Sequence, residues 1–171
     1  PEEIVWDPQT NQGDAYPAYS WGWSCVEVEV DPVTFEVNTT GIWAAYDIGR
    51  ALDALVVKGQ IDGGMIQGLG YGHIEKMESR NGEFLQTSMA DYAIPTSLDY
   101  PSVASRLVDN PFPYGPSGAK GAGEVVFDGA APAFALAVQR ALDLPLHRIP
   151  VTPEYLMEAR SHARDFVHAE R

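Results

Sequence analysis

The segment Gly115–Glu124 combines four glycines with a terminal carboxylate and has the sequence Gly-Pro-Ser-Gly-Ala-Lys-Gly-Ala-Gly-Glu. Glycine lacks a Cβ, so this glycine loop can approach a ligand closely and offer N–H groups to an anion or a large cofactor. The apolar, Ala-rich run 125–142 follows directly, which predicts that Glu124 stands on a rigid support at the mouth of a pocket. A carboxylate partly shielded from water there is a candidate general base near neutral pH.

Other loop chemistries fit this segment poorly. A Walker phosphate loop needs Ser or Thr after its lysine, whereas Gly121 follows Lys120. A nucleophile elbow needs Gly-x-Ser-x-Gly, and Ala119 stands where the second glycine belongs. The structural alternative is an ordinary turn in which Glu124 serves only the dipole of the next helix.

A second candidate for ligand contact is the glycine-rich segment 59–72. Apolar residues recur at i, i+4 spacing from Ile61 to Leu69, which predicts a helix near 60–76. Each interior glycine costs up to about 1 kcal/mol relative to alanine, and a chain carries that cost where something comes close. Gln67 lies within this run, and its amide can both donate and accept toward a ligand. A surface or capping glutamine is the alternative.

Several simpler elements must position these two segments. The run Cys25–Val30 alternates valine with glutamate, a period of two that is typical of a half-buried strand. A turn at 31–34 leads to a second β-branched run at 36–45, so we expect a β-hairpin. Residues 83–90 predict a short extended piece after a loop at 79–82, and 102–108 predict a further strand.

The C-terminal third predicts two helices. Residues 130–142 are Ala-rich, and Thr152-Pro153-Glu154 is a good helix start, with Thr as N-cap and an acid in the first turn. That helix should run to about 165. The sequence therefore predicts one α+β domain over 1–171, in which a β-hairpin and short strands pack with a Gly-rich helix and two C-terminal helices.

Composition narrows the possible partners. The net charge of −13 over 171 residues argues against nucleic acid or an anionic membrane as a partner. No apolar run approaches the roughly 20 residues of a membrane span. Cys25 is the only cysteine and the four histidines show no ligand spacing, so we expect no metal ligated directly by protein and a reducing, cytoplasmic location.

These segments, in this order, resemble the C-terminal part of the molybdenum-binding subunit of the xanthine dehydrogenase and aldehyde oxidase family. The similarity extends over roughly 16–158. One departure is Phe35, where the family has glycine, so we expect a different type of hairpin turn. The motifs that carry the resemblance are Val28-Glu29-Val30-Asp31, Gly59-Gln60-Ile61-Asp62-Gly63-Gly64 with Gln67-Gly68-Leu69-Gly70, Gly118-Ala119-Lys120-Gly121 with Gly123-Glu124, and Ile149-Pro150-Val151-Thr152-Pro153-Glu154.

The resemblance implies a molybdopterin dinucleotide carrying Mo, with no direct protein ligand to the metal. It implies that Glu124 acts as general base on Mo–OH while an electron-poor carbon of an N-heterocycle, purine or aldehyde is hydroxylated with water-derived oxygen. It further implies that several residues lie against the cofactor, namely Gln67, Gly68, Gly118, Ala119, Lys120 and Gly121.

The resemblance also implies partners. Electrons would leave through 2Fe–2S clusters and FAD held on other domains or subunits, and the rest of the molybdenum subunit would complete the cofactor site. The sequence begins with Pro1 and its first methionine is Met65, so we expect a piece of a larger subunit that is inactive and cofactor-free by itself. A non-catalytic structural or assembly module that kept the fold is the alternative. The choice of small-molecule substrate is not determined by these residues.

Overall fold

The structure is a computed structural model that describes residues 6–14, 16 and 18–169, with side chains described as far as residue 162. Its strands are β1 Trp6–Asp7, β2 Gln12–Gly13, β3 Trp21–Val30, β4 Val37–Asp47, β5 Ser79–Arg80, β6 Glu83–Phe84 and β7 Ser102–Leu107. Its helices are α1 Ala54–His73, α2 Ala130–Leu142 and α3 Pro153–Ala169, with a 3₁₀ turn at Pro116–Gly118. This mixture confirms the predicted α+β class.

The central sheet has three strands in the order β3-β4-β7. The strands β3 and β4 pair antiparallel as the predicted hairpin, and β7 pairs parallel to β4 on its other side. Along β3, Val26 is buried while Glu27 and Glu29 are exposed, as the period of two predicts. Because β4 is the middle strand, a segment that bonds to its last residues is attached to the centre of the sheet.

The hairpin turn is closed by the Asp31 side chain, which accepts hydrogen bonds from the N–H groups of Val33 at 2.7 Å and Thr34 at 3.1 Å. Phe35 has a φ of 61°, a left-handed conformation that favours glycine. Its side chain is buried, with the Arg160 guanidinium 5.7 Å from the ring centroid. Phe35 thus has a backbone conformation that glycine adopts readily. The expectation that phenylalanine in place of glycine requires a different type of turn is therefore not supported.

Helix α1 begins earlier than its glycine pattern predicts. Asp53 is the N-cap, and its carboxylate accepts hydrogen bonds from the N–H groups of Leu55 at 2.9 Å and Val56 at 3.1 Å. Such a cap satisfies N–H groups that the first turn leaves without partners. The short apolar run at 52–57 is therefore the start of the helix, and the helix ends at His73 rather than near 76.

Three glycines on one stripe of α1 let it pack closely on α2 and on the turn before α2. A Cβ on Gly64 would lie 2.5 Å from Val126, and one on Gly72 would lie 3.0 Å from the first turn of α2. A Cβ on Gly68 would overlap the carbonyl oxygen of Phe127. The spacing of four residues places all three on one face. The glycine cost in α1 is thus explained in large part by packing within the chain.

The buried Tyr46 side chain joins four parts of the core. Its hydroxyl lies 2.9 Å from Met65 Sδ on α1, 3.2 Å from Ser24 Oγ on β3 and 3.4 Å from the Val126 carbonyl oxygen. Burial raises the pKa of the Tyr46 phenol, so the hydroxyl stays protonated and can donate. The turn at Val126 is therefore tied to the end of β4 and to α1 by one side chain.

Other predicted elements have mixed outcomes. The strand at 102–108 is confirmed as β7, the helix at 130–142 has the predicted bounds, and the helix start at Thr152 is confirmed by a 3.3 Å hydrogen bond from the Tyr155 N–H to its Oγ1. Of the extended piece predicted at 83–90, only β6 is a strand. It pairs with β5 in a small hairpin, so the predicted loop at 79–82 contains a short strand.

Two glycine-to-alanine changes in α1 should have opposite effects on stability. Nothing lies within 4 Å of a Cβ added at Gly63, so Gly63→Ala should raise the free energy of unfolding by up to about 1 kcal/mol through helix propensity. Gly68→Ala should lower it by about 1–3 kcal/mol, because the new Cβ would overlap the Phe127 carbonyl. Urea unfolding midpoints measure both shifts, and shifts of the same sign would contradict the packing described above.

Candidate functional site

The first half of the glycine loop is a compact turn that satisfies its own backbone. The N–H of Gly118 bonds to the Gly115 carbonyl at 3.0 Å, and the N–H of Ala119 bonds to the Pro116 carbonyl at 3.0 Å. Ser117 and Gly118 have φ values of 52° and 86°, in the left-handed region. These amides are therefore engaged within the loop.

The same half of the loop is fastened to the chain that leaves β4. The N–H of Arg50 bonds to the Gly118 carbonyl at 2.8 Å, and the N–H of Lys120 bonds to the Ile48 carbonyl at 2.8 Å. Gly49, opposite Ala119 in an isolated bridge, has a φ of 71°, and a Cβ there would overlap the Gly118 carbonyl oxygen. Only glycine combines that conformation with such a close approach.

A buried ion pair reinforces this junction. Lys120 Nζ lies 2.8 Å from Asp47 Oδ2, and the exposed fractions of the two side chains are 8% and 6%. The Lys120 ammonium also donates to the Tyr19 carbonyl at 3.0 Å. Asp47 accepts further hydrogen bonds from the Gly49 N–H at 2.9 Å and from Asn110 Nδ2 at 2.7 Å. Every polar atom of this carboxylate is thus engaged, as burial demands.

The pKa of Asp47 reflects two opposing effects. Burial alone would raise it, but the hydrogen bond from Lys120, those from Gly49 and Asn110, and the lysine charge together hold the pKa of Asp47 below its ordinary value. The carboxylate therefore stays ionised at neutral pH, and the pair is a charged one.

The second half of the glycine loop is different. The N–H groups of residues 121–126 make no hydrogen bond to any described residue. At Gly121 and Gly123 an added Cβ would have nothing within 4 Å, and neither backbone has a positive φ. Neither packing nor conformation within the described part of the chain requires glycine at these two positions. Absent side chains beside free amides are what close approach by a molecule from outside would require.

Glu124 stands at the end of this bare stretch on a large open cavity. The cavity has a volume of about 1050 Å³, and its wall includes Tyr114, Lys120, Gly121, Gly123 and Glu124. The Glu124 carboxylate is exposed to solvent. Its place at the mouth of a pocket therefore agrees with the prediction, but the expected partial shielding from water is absent in the described part of the chain.

The site residues assigned from the sequence occupy two separate places. Gly118, Ala119, Lys120 and Gly121 belong to the loop, while Gln67 and Gly68 lie on α1. Gln67 is exposed and does not line the cavity that contains Glu124. Gly68 packs on Phe127, three residues after Glu124, so the two segments are joined by tight backbone packing and not by a shared cavity.

Sequence reasoning missed Asp47 and Asn110. Asp47-Ile48-Gly49 signalled only the end of a strand, because nothing local shows that an aspartate has a partner 73 residues along the chain. A buried strand that ends in a charged residue is a signal that could have identified Asp47.

Charge in the cavity wall is limited. Within the described residues, Lys120 is the one cationic side chain that lines the cavity, and its ammonium already bonds to Asp47 and to Tyr19. The wall therefore offers neutral amides and one carboxylate rather than a cationic site for phosphate. In the described ranges, no three His, Cys, Asp or Glu side chains are grouped to hold a metal ion.

A family model for the molybdopterin cofactor-binding domain matches residues 2–101. The match covers more than half of the chain and includes the hairpin and α1. It ends before the glycine loop, so it does not depend on the motif that contains Glu124. The chain belongs to the molybdopterin cofactor-binding domain family.

Individual relatives agree with this assignment. The large subunit of nicotine 6-hydroxylase from Paenarthrobacter nicotinovorans is 35% identical over 147 residues, which are 84% of this chain and 18% of that protein. A putative xanthine dehydrogenase molybdenum-binding subunit from Escherichia coli is 30% identical over 141 residues, covering 81% of this chain and 19% of that protein. The crystal structure of the aldehyde oxidoreductase from Desulfovibrio desulfuricans superposes with a TM-score of 0.80 at 29% identity, covering 87% of this chain and 16% of that one.

These similarities confirm the resemblance to the molybdenum-binding subunits of the xanthine dehydrogenase and aldehyde oxidase family. The chain spans less than a fifth of the length of each of these three relatives. No helix in the described part of the chain has the length and apolar character needed to cross a membrane.

The buried ion pair predicts a specific dependence of stability on pH. The pKa of Asp47 is lower in the folded chain than the roughly 3.9 of a free aspartate, so its contribution is present above that pH and is lost as pH falls through the folded value. Asp47→Asn has no proton to gain there. Between about pH 6 and about pH 3, the urea midpoint of the unmodified chain should fall further than that of the variant.

The matched control for this measurement is Asp62→Asn. Asp62 pairs with Lys58 on α1 at 2.7 Å, but this pair is more exposed to solvent, and such pairs contribute at most about 1 kcal/mol. The urea midpoint of Asp62→Asn should therefore fall with pH about as much as that of the unmodified chain. Identical acid slopes for the Asp47→Asn variant and the unmodified chain would show that the Asp47 carboxylate is not a stabilising group.

Proposed function

We propose that this chain forms part of the molybdenum cofactor site of a hydroxylating oxidoreductase, with Glu124 as its general base. The reaction hydroxylates an electron-poor carbon of an N-heterocycle, a purine or an aldehyde, using oxygen derived from water. The observation that carries the proposal is the Glu124 carboxylate on the wall of a cavity of about 1050 Å³, directly after main-chain amides that have no acceptor among the described residues.

The bare segment 121–124 fits a large planar cofactor. Gly121 and Gly123 leave room that Cβ atoms would fill, and their free N–H groups offer donors to the hydrogen-bonding edge of a pterin. Gly118, Ala119 and Lys120 use their amides within the chain, so their contribution is to hold the loop in place. Gln67 is exposed on α1 outside this cavity, and we propose that it meets a part of the cofactor that extends beyond the cavity.

When bound, the cofactor supplies a redox metal centre that receives the electrons of the reaction. The role of this chain is proton transfer and placement. A Glu124 Oε atom would accept the proton of the water-derived hydroxyl, since a carboxylate within hydrogen-bond reach is a competent base. The turn that follows, closed by the 2.9 Å bond from the Phe127 N–H to the Glu124 carbonyl, holds the main chain at Glu124.

Other parts of the enzyme must complete the site. The cavity wall has no free cation in the described ranges for the phosphates of a dinucleotide, so we assign these to segments outside this chain, which forms the C-terminal portion of a cofactor-binding domain. We also assign the 2Fe–2S clusters and FAD to partner domains or subunits, since a single cysteine cannot ligate a cluster. Relatives are named as a large subunit and as a molybdenum-binding subunit. A reducing, cytoplasmic location suits this single unpaired cysteine.

The first test is Glu124→Gln in the assembled enzyme. Glutamine keeps the size and hydrogen bonding of the side chain but cannot accept the proton, so kcat should fall by about 10²–10⁴-fold while molybdenum content stays at the level of the unmodified enzyme. Steady-state kinetics and metal analysis measure the two quantities. Full molybdenum content with near-normal kcat would exclude Glu124 as the base and would favour a structural or assembly module.

A second test addresses the cofactor contact itself. Gly121→Val and Gly123→Val each place a side chain in the space proposed for the cofactor, so molybdenum content per subunit should fall. We expect the urea midpoint of the chain to change little, since nothing lies within 4 Å of the new Cβ at either position. Gly59→Val is the control, because its Cβ also enters open space but lies on α1 two turns before Gln67. Unchanged molybdenum content in both loop variants would contradict the proposed contact.

A further inference from the structure

We propose that Asp47 and Lys120 form a buried latch that positions the segment 121–125, and with it Glu124, for proton transfer. This inference rests on the function proposed above. In it, Lys120 is a positioning residue and not a ligand of the cofactor. Asp47, at the end of the middle strand of the sheet, is the fixed half of the latch.

The first observation is that the charge of Lys120 is used within the chain. Its ammonium lies 2.8 Å from Asp47 Oδ2 and 3.0 Å from the Tyr19 carbonyl oxygen, and its side chain is 8% exposed. A lysine that reached for an anionic ligand would keep its ammonium accessible at the cavity wall. Two of the three N–H donors are instead engaged by acceptors of this chain.

The second observation is the order of anchors along the loop. Lys120 is held by its side chain on Asp47 and by its N–H on the Ile48 carbonyl at 2.8 Å. The next point held to β4 is Val126, a buried residue whose carbonyl lies 3.4 Å from the Tyr46 hydroxyl. The intervening segment 121–125 has no N–H bonded to a described residue.

The two anchors therefore belong to three consecutive residues of the chain, positions 46–48. Neighbouring strand residues point to opposite faces, so Tyr46 reaches the core and α1 while Asp47 reaches the glycine loop. Glu124 lies between the two anchors and has no side-chain hydrogen bond to any described residue. Around it, Ala122 and Val125 pack against the core, and the Gly121 carbonyl accepts a hydrogen bond from Ser20 Oγ at 3.5 Å. The latch at Lys120 is therefore the charged contact that fixes the start of the segment, and its loss leaves the hold at Val126 in place.

Loss of the latch should lower the catalytic rate without unfolding the chain. Removing the Lys120 ammonium leaves the first anchor with only its backbone bond to Ile48, while Tyr46 and the Gly68 packing still hold the turn at 126–127. The chain stays folded, but the base is no longer held in one position. A displacement of about 1 Å at a reacting group can lower a rate by about 10²-fold.

The test uses Lys120→Met in the assembled enzyme, which keeps the stem of the side chain and removes its charge. We expect kcat to fall by about 10²-fold with KM little changed. A second readout is independent of activity: the amides of Arg50 and of residue 120, which bond to Gly118 and Ile48, should exchange hydrogen for deuterium faster. Lys58→Met, which removes a more exposed ion pair on α1, should change neither quantity.

The double variant Asp47→Asn with Lys120→Met tests whether the two residues act as one unit. The double variant leaves no unpaired buried charge. If Lys120→Met alone fails to assemble, kcat and amide exchange are measured on the double variant instead. Residues that act only through each other are non-additive, so the double variant should lose no more of kcat than either single variant. Losses in kcat that multiply would overturn the latch.

The remaining outcomes separate this inference from the proposed function. Faster exchange with normal kcat would overturn the positioning role, and a lower kcat with unchanged exchange would overturn the latch. If Glu124→Gln keeps a normal kcat, the proposed function fails, and faster exchange at Arg50 still shows that Lys120 holds the loop. If Glu124→Gln loses activity while Lys120→Met matches the unmodified enzyme in both readouts, the latch alone fails.

Discussion

The buried ion pair between Asp47 and Lys120 is the contact on which the arrangement of this domain depends. It joins the end of the middle strand to a loop that lies 73 residues further along the chain. Burying two charges is costly unless they are paired and hydrogen-bonded, and here the Gly49 N–H and the Asn110 amide donate to Asp47 while the Tyr19 carbonyl accepts from Lys120. Because the partners come from separate segments, the pair forms only when these segments are correctly placed.

The glycines of the chain serve two physical purposes that look alike in the sequence. Gly49 and Gly68 are required by the chain itself, because a Cβ at either position would overlap a carbonyl oxygen of another segment. Gly121 and Gly123 are not, because a Cβ there would meet nothing within 4 Å. The first kind holds the loop and the helix against their neighbours. The second kind leaves main chain bare next to Glu124, where a bound molecule would complete the packing.

The charged groups on the cavity wall limit what this chain can bind. The chain offers a carboxylate and neutral amides on the cavity wall, and its one lysine there is already paired. These groups suit the reacting end of a cofactor and a proton transfer, not the binding of phosphates. The chain spans less than a fifth of the length of these three relatives, and in the proposed function segments outside it bind the phosphates.

What the sequence determined by itself is local. The alternation of Val26 with Glu27 specifies a half-buried strand, and Thr152 before a proline specifies a helix start, because both depend only on neighbouring residues. The Asp53 N-cap is equally local, but the glycine pattern at 59–72 placed the predicted start of the helix too late. The tertiary structure alone decided that Lys120 pairs with Asp47, since the partner of a charge is set by which distant segments fold together. For the same reason only the fold distinguishes glycines that pack within the chain from those whose Cβ would enter open space.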